Sequence, residues 1–414
     1  MTGRAAVSVV IVSRNRPAAL RRCLIGVSQL IHDRFEVVVV ADRDSCASLR
    51  ALPQAAAAKL VVFDTPNISA ARNRGIAEAA GEIIAFIDDD AVPEPTWLHY
   101  LCAPFADPAV AAATGHVRGR NGISFQWRGR WVDGTGRDHP LDLPDGCATV
   151  LTARPGRAIR TEGTNMAFRR AVLARLGGFD PAYRFFLDET DLNMRLAQIG
   201  AATAVVPLAQ VHHGFAASDR RQADRAPRDL HEIGASWAVF LSRHCPPELA
   251  ARTWARIEAA ERRRALAHML RGSLEPGEVR RLMATLAAGH AEGLARDKTL
   301  PPPLPAGPAA AFAPYPARPA AASVVISGRI WERRRLRARA REAAAAGNRV
   351  TLILLSPSAL YHRVRFDDAG YWEQTGGLFG RSDRAQPLFR WWRFRNRVAA
   401  ECARVAAFRA LPQF

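Results

Sequence analysis

The sequence predicts an α/β protein with a doubly wound, mostly parallel sheet flanked by helices, followed by a helical segment and a small C-terminal α/β module. Short β-branched runs alternate with helix-like segments over the first 90 residues. One of these runs, Ile83–Ile87, has the length of a buried strand and ends in three consecutive acids. Because ligands of open α/β sheets bind beyond the carboxyl ends of the strands, the acids indicate a site at that edge.

The N-terminal elements follow one another in a regular order. The strand Val7–Val12 is followed by a polar turn, and Pro17 begins a helix that extends to about Val27. The remaining strands and helix of this region are predicted at Phe35–Val40, Leu60–Phe63, Ser69–Ala80 (the helix, which Gly81 ends) and Ile83–Ile87. Neither GxGxxG nor GxxxxGK[ST] follows the first strand, which disfavours a dinucleotide-binding fold and a P-loop.

Three adjacent carboxylates, Asp88, Asp89 and Asp90, repel one another unless a cation is bound. Oxygen ligands of this kind suit Mg²⁺ or Mn²⁺, and such an ion suits a diphosphate. The alternative is a solvated acidic loop that caps a helix near Pro95.

A second acidic cluster, Asp188, Glu189 and Asp191, enters another predicted helix, where the helix dipole favours negative charge. Simple N-terminal capping would explain the same pattern. Downstream, His212 and His213 are candidate metal ligands, although a histidine pair is more often structural.

Composition gives weaker information about partners. The chain has 414 residues and a net charge of +19, with arginine in place of nearly all lysine. Such a charge favours anionic partners. The six cysteines form no CxxC pair, and Val7–Val12 is too short for a signal peptide, so we expect a cytoplasmic location.

The second half of the chain divides into three predicted segments. Residues 246–298 form two helices, of which the first is basic and amphipathic. This helix can lie on an anionic membrane, on the inner face of the cell membrane, or pack on the preceding domain with its arginines in solvent. Residues 299–322 are a Pro- and Ala-rich linker, and residues 323–414 form a small α/β module of unknown role.

Seven segments, taken in order, resemble glycosyltransferase family 2, whose members have the GT-A fold. They are VSVVIVSRN, FEVVVVADRDS, NISAARNRGIAEAAGEIIAFIDDD, GTNMAFRRAVLARLGGFD, FFLDETDLNMRLAQIG, AVVPLAQVHHG and the helix over Leu230–Leu241. The resemblance covers about residues 5–245, so residues 1–245 are expected to form the catalytic domain.

This resemblance implies an inverting transfer of sugar from a nucleoside-diphosphate sugar to a hydroxyl of a glycan or lipid-linked acceptor, in the synthesis of cell-surface or extracellular polysaccharide. It implies a divalent metal, Mg²⁺ or Mn²⁺, held by Asp90 and Asp88, with His212 as the third contact. The donor-binding residues that it implies are Ser13, Asn15, Asp42, Arg72, Asp88 and Asp89, the last of them facing the ribose.

The family usually carries Glu-Asp-x-Asp-Leu in its second acidic segment, whereas this chain has the first two acids in reversed order. Glu189 is therefore the expected general base, Asp188 is the alternative, and Asp191 is expected to orient the helix start or the sugar. Two other functions stay open: a Mg²⁺-dependent nucleotidyltransferase and a catalytically silent scaffold of polysaccharide assembly. Nucleic-acid binding is disfavoured because the basic residues are dispersed and no recognition motif is present.

Overall fold

The structure is a computed structural model that describes residues 5–214, 222, 224–305, 307–316 and 321–411. The strands β1 to β13 are, in chain order, Val7–Ser13, Phe35–Ala41, Lys59–Val62, Ile83–Asp88, Ala91–Pro93, Val110–Arg118, Phe125–Trp127, Arg130–Asp133, Asp138–Pro140, Thr149–Thr152, Arg157–Ile159, Met166–Arg169 and Ala202–His213. The helices α1 to α9 are Pro17–Val27, Arg43–Leu49, Ile68–Glu78, Trp97–Cys102, Arg170–Arg175, Asp188–Gln198, His231–His244, Pro247–Leu270 and Pro276–Ala295.

The main sheet has the order β10-β13-β6-β12-β4-β1-β2-β3, with β5 paired to β13 and β7 paired to β6. Strands β3, β2, β1, β4, β6 and β13 point in one direction, and β10 and β12 in the other. A small separate sheet has the order β11-β8-β9. The predicted α/β fold with a mostly parallel sheet is confirmed.

Strand β1 shows why the sheet is covered on both faces. Val7, Val9 and Ile11 belong to a core that includes the apolar side of α1, whereas Val10 and Val12 belong to a second core with α3 and α6. Successive side chains of a strand point to opposite faces, so a continuous apolar run requires a helical layer on each side. This double layer leaves the ends of the strands as the accessible edge.

Helices α7, α8 and α9 pack together beside the sheet domain. A Cβ at Gly289 of α9 would lie 1.8 Å from the carbonyl oxygen of His231, so the glycine permits close approach of α7 and α9. On α8, Ile257 and Ala265 are buried, and Trp254 stacks on His290 of α9 at 3.7 Å between ring centroids. The middle of the apolar side of α8 is thus covered by protein, whereas Leu270 at its C-terminal end is exposed. Among the described residues, no helix combines the length and the apolar character that crossing a membrane requires.

The Pro- and Ala-rich segment predicted as a linker lies along the surface of the sheet domain in its described parts. Four of its backbone N–H groups donate to the first domain: Leu304 to the Ala174 carbonyl (2.8 Å), Ala309 to the Ala77 carbonyl (3.1 Å), Ala313 to the Glu36 carboxylate (2.8 Å) and Tyr315 to the Phe35 carbonyl (2.8 Å). Tyr315 is buried in the core that contains α1. Residues 300–305 and 307–316 therefore form a pinned strap rather than a free spacer.

The C-terminal module has the strands β14 to β17, Ser323–Arg329, Arg349–Ser356, Arg363–Asp367 and Tyr371–Gly377, and the helices α10 and α11, Arg333–Ala345 and Phe394–Arg409. Its sheet order is β14-β15-β17-β16. Val364, Phe366 and Trp372 join the same core as α1. The predicted boundaries had implied that residues 1–297 fold alone. Because this module and the strap both complete the first core, we do not expect them to do so.

A buried ion pair fastens the module to the sheet domain. Arg409 at the end of α11 binds Glu94 through Nε (2.9 Å) and a terminal nitrogen (3.0 Å), and both residues are about 2% exposed. Burial raises the pKa of Glu94, but Arg409 and His212 lower it more, to well below its ordinary value.

Replacing Arg409 with methionine should therefore lower the free energy of unfolding by about 3–5 kcal/mol, because the buried carboxylate of Glu94 loses its main counter-charge. Arg395→Met, on an exposed position of the same helix, is the matched control and should change little. Urea denaturation of the whole chain measures both, and equal midpoints for the two variants would contradict the expected role of the pair.

Candidate active site

The acids that end β4 lie beside a histidine from β13. Asp88, Asp90 and His213 offer one ligand atom each, all within 4.8 Å of one another. Nε2 of His213 lies 3.1 Å from Oδ1 of Asp90, and Asp88 accepts a hydrogen bond from the Thr164 hydroxyl at 2.7 Å. Two carboxylates and an imidazole are a suitable ligand set for Mn²⁺ or Mg²⁺.

His213, not the predicted His212, is the histidine of this cluster. His212 points to the opposite face of β13, where its Nε2 lies 2.8 Å from Oε1 of Glu94 and its ring packs on Trp372. Adjacent residues of a strand face opposite sides, and pairing of β13 with β5 sets His213 opposite Ala91, next to Asp90. Burial lowers the pKa of His212, although Glu94 opposes this shift.

Asp89, between the two candidate ligands, is fully buried and does not face open space. It accepts a hydrogen bond from the Ser13 hydroxyl (2.5 Å) and pairs with Arg16 (2.5 Å). Burial raises its pKa, Arg16 opposes the rise and Asp90 adds to it. Its contacts in the structure are thus with Ser13 and Arg16, and the ribose contact stays a prediction.

A cleft of about 460 Å³ opens beside this edge of the sheet. Its lining includes the predicted residues Ser13 and Asn15, together with Arg16, which the sequence reasoning missed, and the aromatic residue Phe63. The remaining lining residues are Val12, Arg14, Thr65, Pro66, Asn67, Ile68, Ala71, Arg184, Phe185, Asp229, His231 and Glu232.

The predicted residue Asp42 acts on this cleft through the backbone. Its carboxylate accepts a hydrogen bond from the Asn15 N–H (2.8 Å) and caps α2 by accepting from the Ser45 N–H (2.9 Å). Asn15 has a φ of 55°, in the left-handed region that asparagine tolerates better than most residues. Asp42 therefore fixes the turn that presents Asn15 to the cleft.

Arg72 connects the two acidic clusters. Its guanidinium, almost fully buried, lies 3.5 Å from Oδ1 of Asp88 and forms a hydrogen-bonded ion pair with Asp188. The two clusters, 100 residues apart in sequence, thus meet at one place. Arg72 had been predicted to reach the base or phosphate of a donor, whereas both of its charged contacts in the structure are carboxylates.

The three acids of α6 have different surroundings. Asp188 is buried, and burial raises its pKa to about 7 against the opposing effect of Arg72. Asp191 is also buried; burial would raise its pKa, but Arg195 and His244 lower it to about 2. The Glu189 side chain is 15% exposed.

The contacts of Asp191 and Glu189 explain this difference. Arg195 Nε and His244 Nε2 each lie 2.8 Å from the Asp191 carboxylate, so this residue is held inside the protein. Glu189 lies 3.5 Å from a terminal nitrogen of Arg160. Of the three acids, Glu189 is the one whose side chain keeps some exposure to solvent.

Two residues of the site, Arg16 and Arg160, were not predicted, and His213 was predicted only as one of a histidine pair of which His212 was chosen as the metal contact. Arg16 follows β1 by three positions, at the same sheet edge as Asp88, and this position is a signal that the sequence carried. Arg160 comes from a loop-rich region without periodicity, so no pattern in the sequence indicates its contact with Glu189.

Comparison with known proteins gives a consistent result. The profile of a family described as "Glycosyltransferase like family 2" matches residues 4–228, more than half of the chain. The pre-mycofactocin glycosyltransferase of Mycobacterium tuberculosis is 29% identical over 215 residues, which are 50% of this chain and 42% of that protein. The O-antigen biosynthesis protein RfbC of Myxococcus xanthus is 28% identical over 236 residues, 54% of this chain and 18% of that protein. The chain thus spans less than half the length of these two relatives.

A solved structure, the mannosyltransferase PcManGT from Pyrobaculum calidifontis in complex with GDP-Man and Mn2+, is also similar. The likeness covers 71% of this chain and 88% of that one, with 20% sequence identity and a TM-score of 0.42.

Proposed function

The chain belongs to glycosyltransferase family 2, and from this membership we propose that it transfers a sugar from a nucleoside-diphosphate sugar to an acceptor hydroxyl, with inversion at the anomeric carbon. The observation that carries this proposal is the meeting of two acidic clusters through Arg72 beside an open cleft. One cluster has the ligands for a cation, and the other supplies an accessible carboxylate. Inverting transfer needs both: neutralisation of the leaving group and a base for the acceptor.

The donor nucleoside would occupy the cleft. Ser13 and Asn15 supply polar groups there, Phe63 offers an aromatic face to the base, and Arg16 adds positive charge next to Asp90. Asp42 and Asp89 support this wall by holding Asn15 and Ser13 in place.

Asp88, Asp90 and His213 would hold Mn²⁺ or Mg²⁺, which neutralises the negative charge that develops on the departing diphosphate. Glu189 would accept the proton of the acceptor hydroxyl. Arg72 keeps Asp88 and Asp188 in fixed relation, so the donor side and the acceptor side of the reaction stay aligned.

The acceptor in this proposal is a glycan or a lipid-linked glycan of cell-surface or extracellular polysaccharide, handled at the cytoplasmic side of the membrane. The likeness to a relative named for O-antigen biosynthesis supports this class.

A thermal-shift panel of nucleoside diphosphates, with and without Mn²⁺, tests the donor site. At a ligand concentration of about 100 times Kd, the bound state gains roughly 2.7 kcal/mol. We expect at least one nucleotide to raise the melting temperature only when Mn²⁺ is present. A panel without any metal-dependent shift would overturn the proposed donor site.

The reaction products then distinguish a glycosyltransferase from a nucleotidyltransferase and from a catalytically silent scaffold. Release of nucleoside diphosphate from the sugar donor is expected, whereas formation of pyrophosphate from a nucleoside triphosphate and a sugar phosphate would identify a nucleotidyltransferase. Donor binding without any turnover, including slow hydrolysis, would favour the scaffold.

A further inference from the structure

A short segment that ends in the first turn of α11 combines exposed aromatic and basic side chains. Residues 387–395 have the sequence PLFRWWRFR, with three arginines and no acid. Leu388, Phe389 and Trp391 are 60%, 51% and 76% exposed. We call these three residues, together with Arg390 and Arg393, the aromatic–arginine surface.

The exposed rings of this surface form one cluster with Phe379. The centroid of the Phe379 ring lies 5.5 Å from that of Phe389 and 4.7 Å from that of Trp391, and Phe389 and Trp391 are 5.8 Å apart. Rings held together in this way present a continuous apolar patch to solvent instead of scattered single residues. A patch of this kind on a monomer usually marks an interaction site.

The charge around the patch indicates the chemistry of the partner. Arg390, Arg393 and Arg395 are all exposed, and Arg329 extends the basic region by lying between the rings of Phe394 and exposed Trp331. Arginines around an apolar centre match a surface that is anionic outside and apolar beneath. Phospholipid head groups over acyl chains have this composition, and Trp is favoured at their boundary.

We propose that the aromatic–arginine surface docks the protein on an anionic lipid membrane. Leu388, Phe389 and Trp391 enter the boundary between head groups and acyl chains, while Arg390 and Arg393 bind lipid phosphates. This surface replaces the basic helix α8 as the membrane-facing element, since Trp254, Ile257 and Ala265 of α8 pack inside the protein and leave Leu270 as its most exposed apolar residue.

The position of α11 relates the docking surface to the rest of the molecule. The helix begins at Phe394, next to the surface, and ends at Arg409, which binds Glu94 behind the strand that carries His213. A helix of 16 residues is about 24 Å long. One helix thus runs from the surface to Glu94, whose other partner is His212, the neighbour of His213 in β13.

Co-sedimentation of the full chain with vesicles tests this surface. Phosphatidylcholine vesicles serve as the neutral probe, and vesicles that also contain phosphatidylglycerol as the anionic probe. We expect binding to the anionic vesicles only. Phe389→Ser with Trp391→Ser, and separately Arg390→Gln with Arg393→Gln, should each weaken the apparent vesicle affinity roughly tenfold or more.

The matched control is Arg262→Gln with Arg263→Gln, which removes the same charge from exposed positions of α8. Leu270→Ser removes an exposed apolar side chain from that helix in the same way. Both controls should retain vesicle binding.

Three results would overturn the assignment. Equal losses in the α8 and surface variants would show that net charge alone drives binding. Loss only in the arginine variant, with the serine variant unchanged, would identify a general polyanion site. A change of oligomeric state in the surface variants without vesicles would identify a second copy of the chain as the partner.

Discussion

Asp90→Asn should abolish the metal-dependent binding of a nucleoside diphosphate and leave the fold intact. The change keeps the size of the side chain but removes one of two anionic ligands of the candidate metal cluster, and Asp90 is also the residue that pairs with His213. Mutation of a residue that only hydrogen-bonds to a metal ligand lowers metal affinity or activity about 10–100-fold. Loss of a ligand itself should therefore lower the metal affinity at least about 100-fold. Isothermal titration calorimetry with and without Mn²⁺ measures this effect.

The two histidines supply a sharper comparison. His213→Gln should lower the Mn²⁺ affinity strongly. His212→Gln should leave the Mn²⁺ affinity nearly unchanged and lower the thermal stability instead, because His212 contacts the buried carboxylate of Glu94. Nucleotide binding by Asp90→Asn that is of wild-type strength and insensitive to EDTA would exclude the metal assignment. A loss of Mn²⁺ affinity in His212→Gln, but not in His213→Gln, would show that His212 is the third metal ligand, as the sequence resemblance had implied.

The sequence predicted the parts of the fold that depend on apolar runs. The strand bounds Val7–Val12 and Ile83–Ile87 each differ by one residue from the observed β1 and β4. These strands are buried on both faces, so their sequence is apolar except at Ser8 and at their last residues, and this pattern is visible without knowing any neighbour. The position of the three acids at the edge of the sheet was predicted from the point where the apolar run of β4 ends.

What the sequence did not predict depends on pairing between distant segments. The choice between His212 and His213 is decided by the register of β13 against β5, which neither segment reveals alone. The contacts of the strap over residues 300–305 and 307–316 are made largely by backbone N–H groups, so its Pro- and Ala-rich composition carries no sign of them.

The roles of charged residues were hard to predict for a related reason. Arg72 and Asp188 come from helices more than 100 residues apart, and only the folded chain shows that they neutralise each other. Charge in a sequence indicates that a partner is needed, but it does not identify the partner.

Glu189→Gln should abolish sugar transfer while leaving donor affinity nearly unchanged. Glutamine keeps the size and much of the hydrogen bonding of the side chain but cannot accept a proton, and a positioned base contributes about 10²–10⁴-fold to the rate. If Glu189 only capped α6, its loss would cost about 1 kcal/mol of stability and little activity. Measurements of transfer rate, donor affinity and unfolding on the same variant separate these two roles.

Asp188→Asn is the necessary companion, since Asp188 is the other candidate for the base. Its carboxylate is buried against Arg72, and we expect its replacement to reduce stability first, because Arg72 loses its closest partner. Burial raises the pKa of Asp188 to about 7. A base with this pKa is protonated below about pH 7 and active above it. If Asp188 were the base, Glu189→Gln would still transfer sugar, and its rate would rise at a lower pH than that of the wild type, because Glu189 contributes to the raised pKa of Asp188. Asp188→Asn would not transfer at all. If both variants kept the full rate, the acids of α6 would be structural and the proton acceptor would lie elsewhere in the cleft.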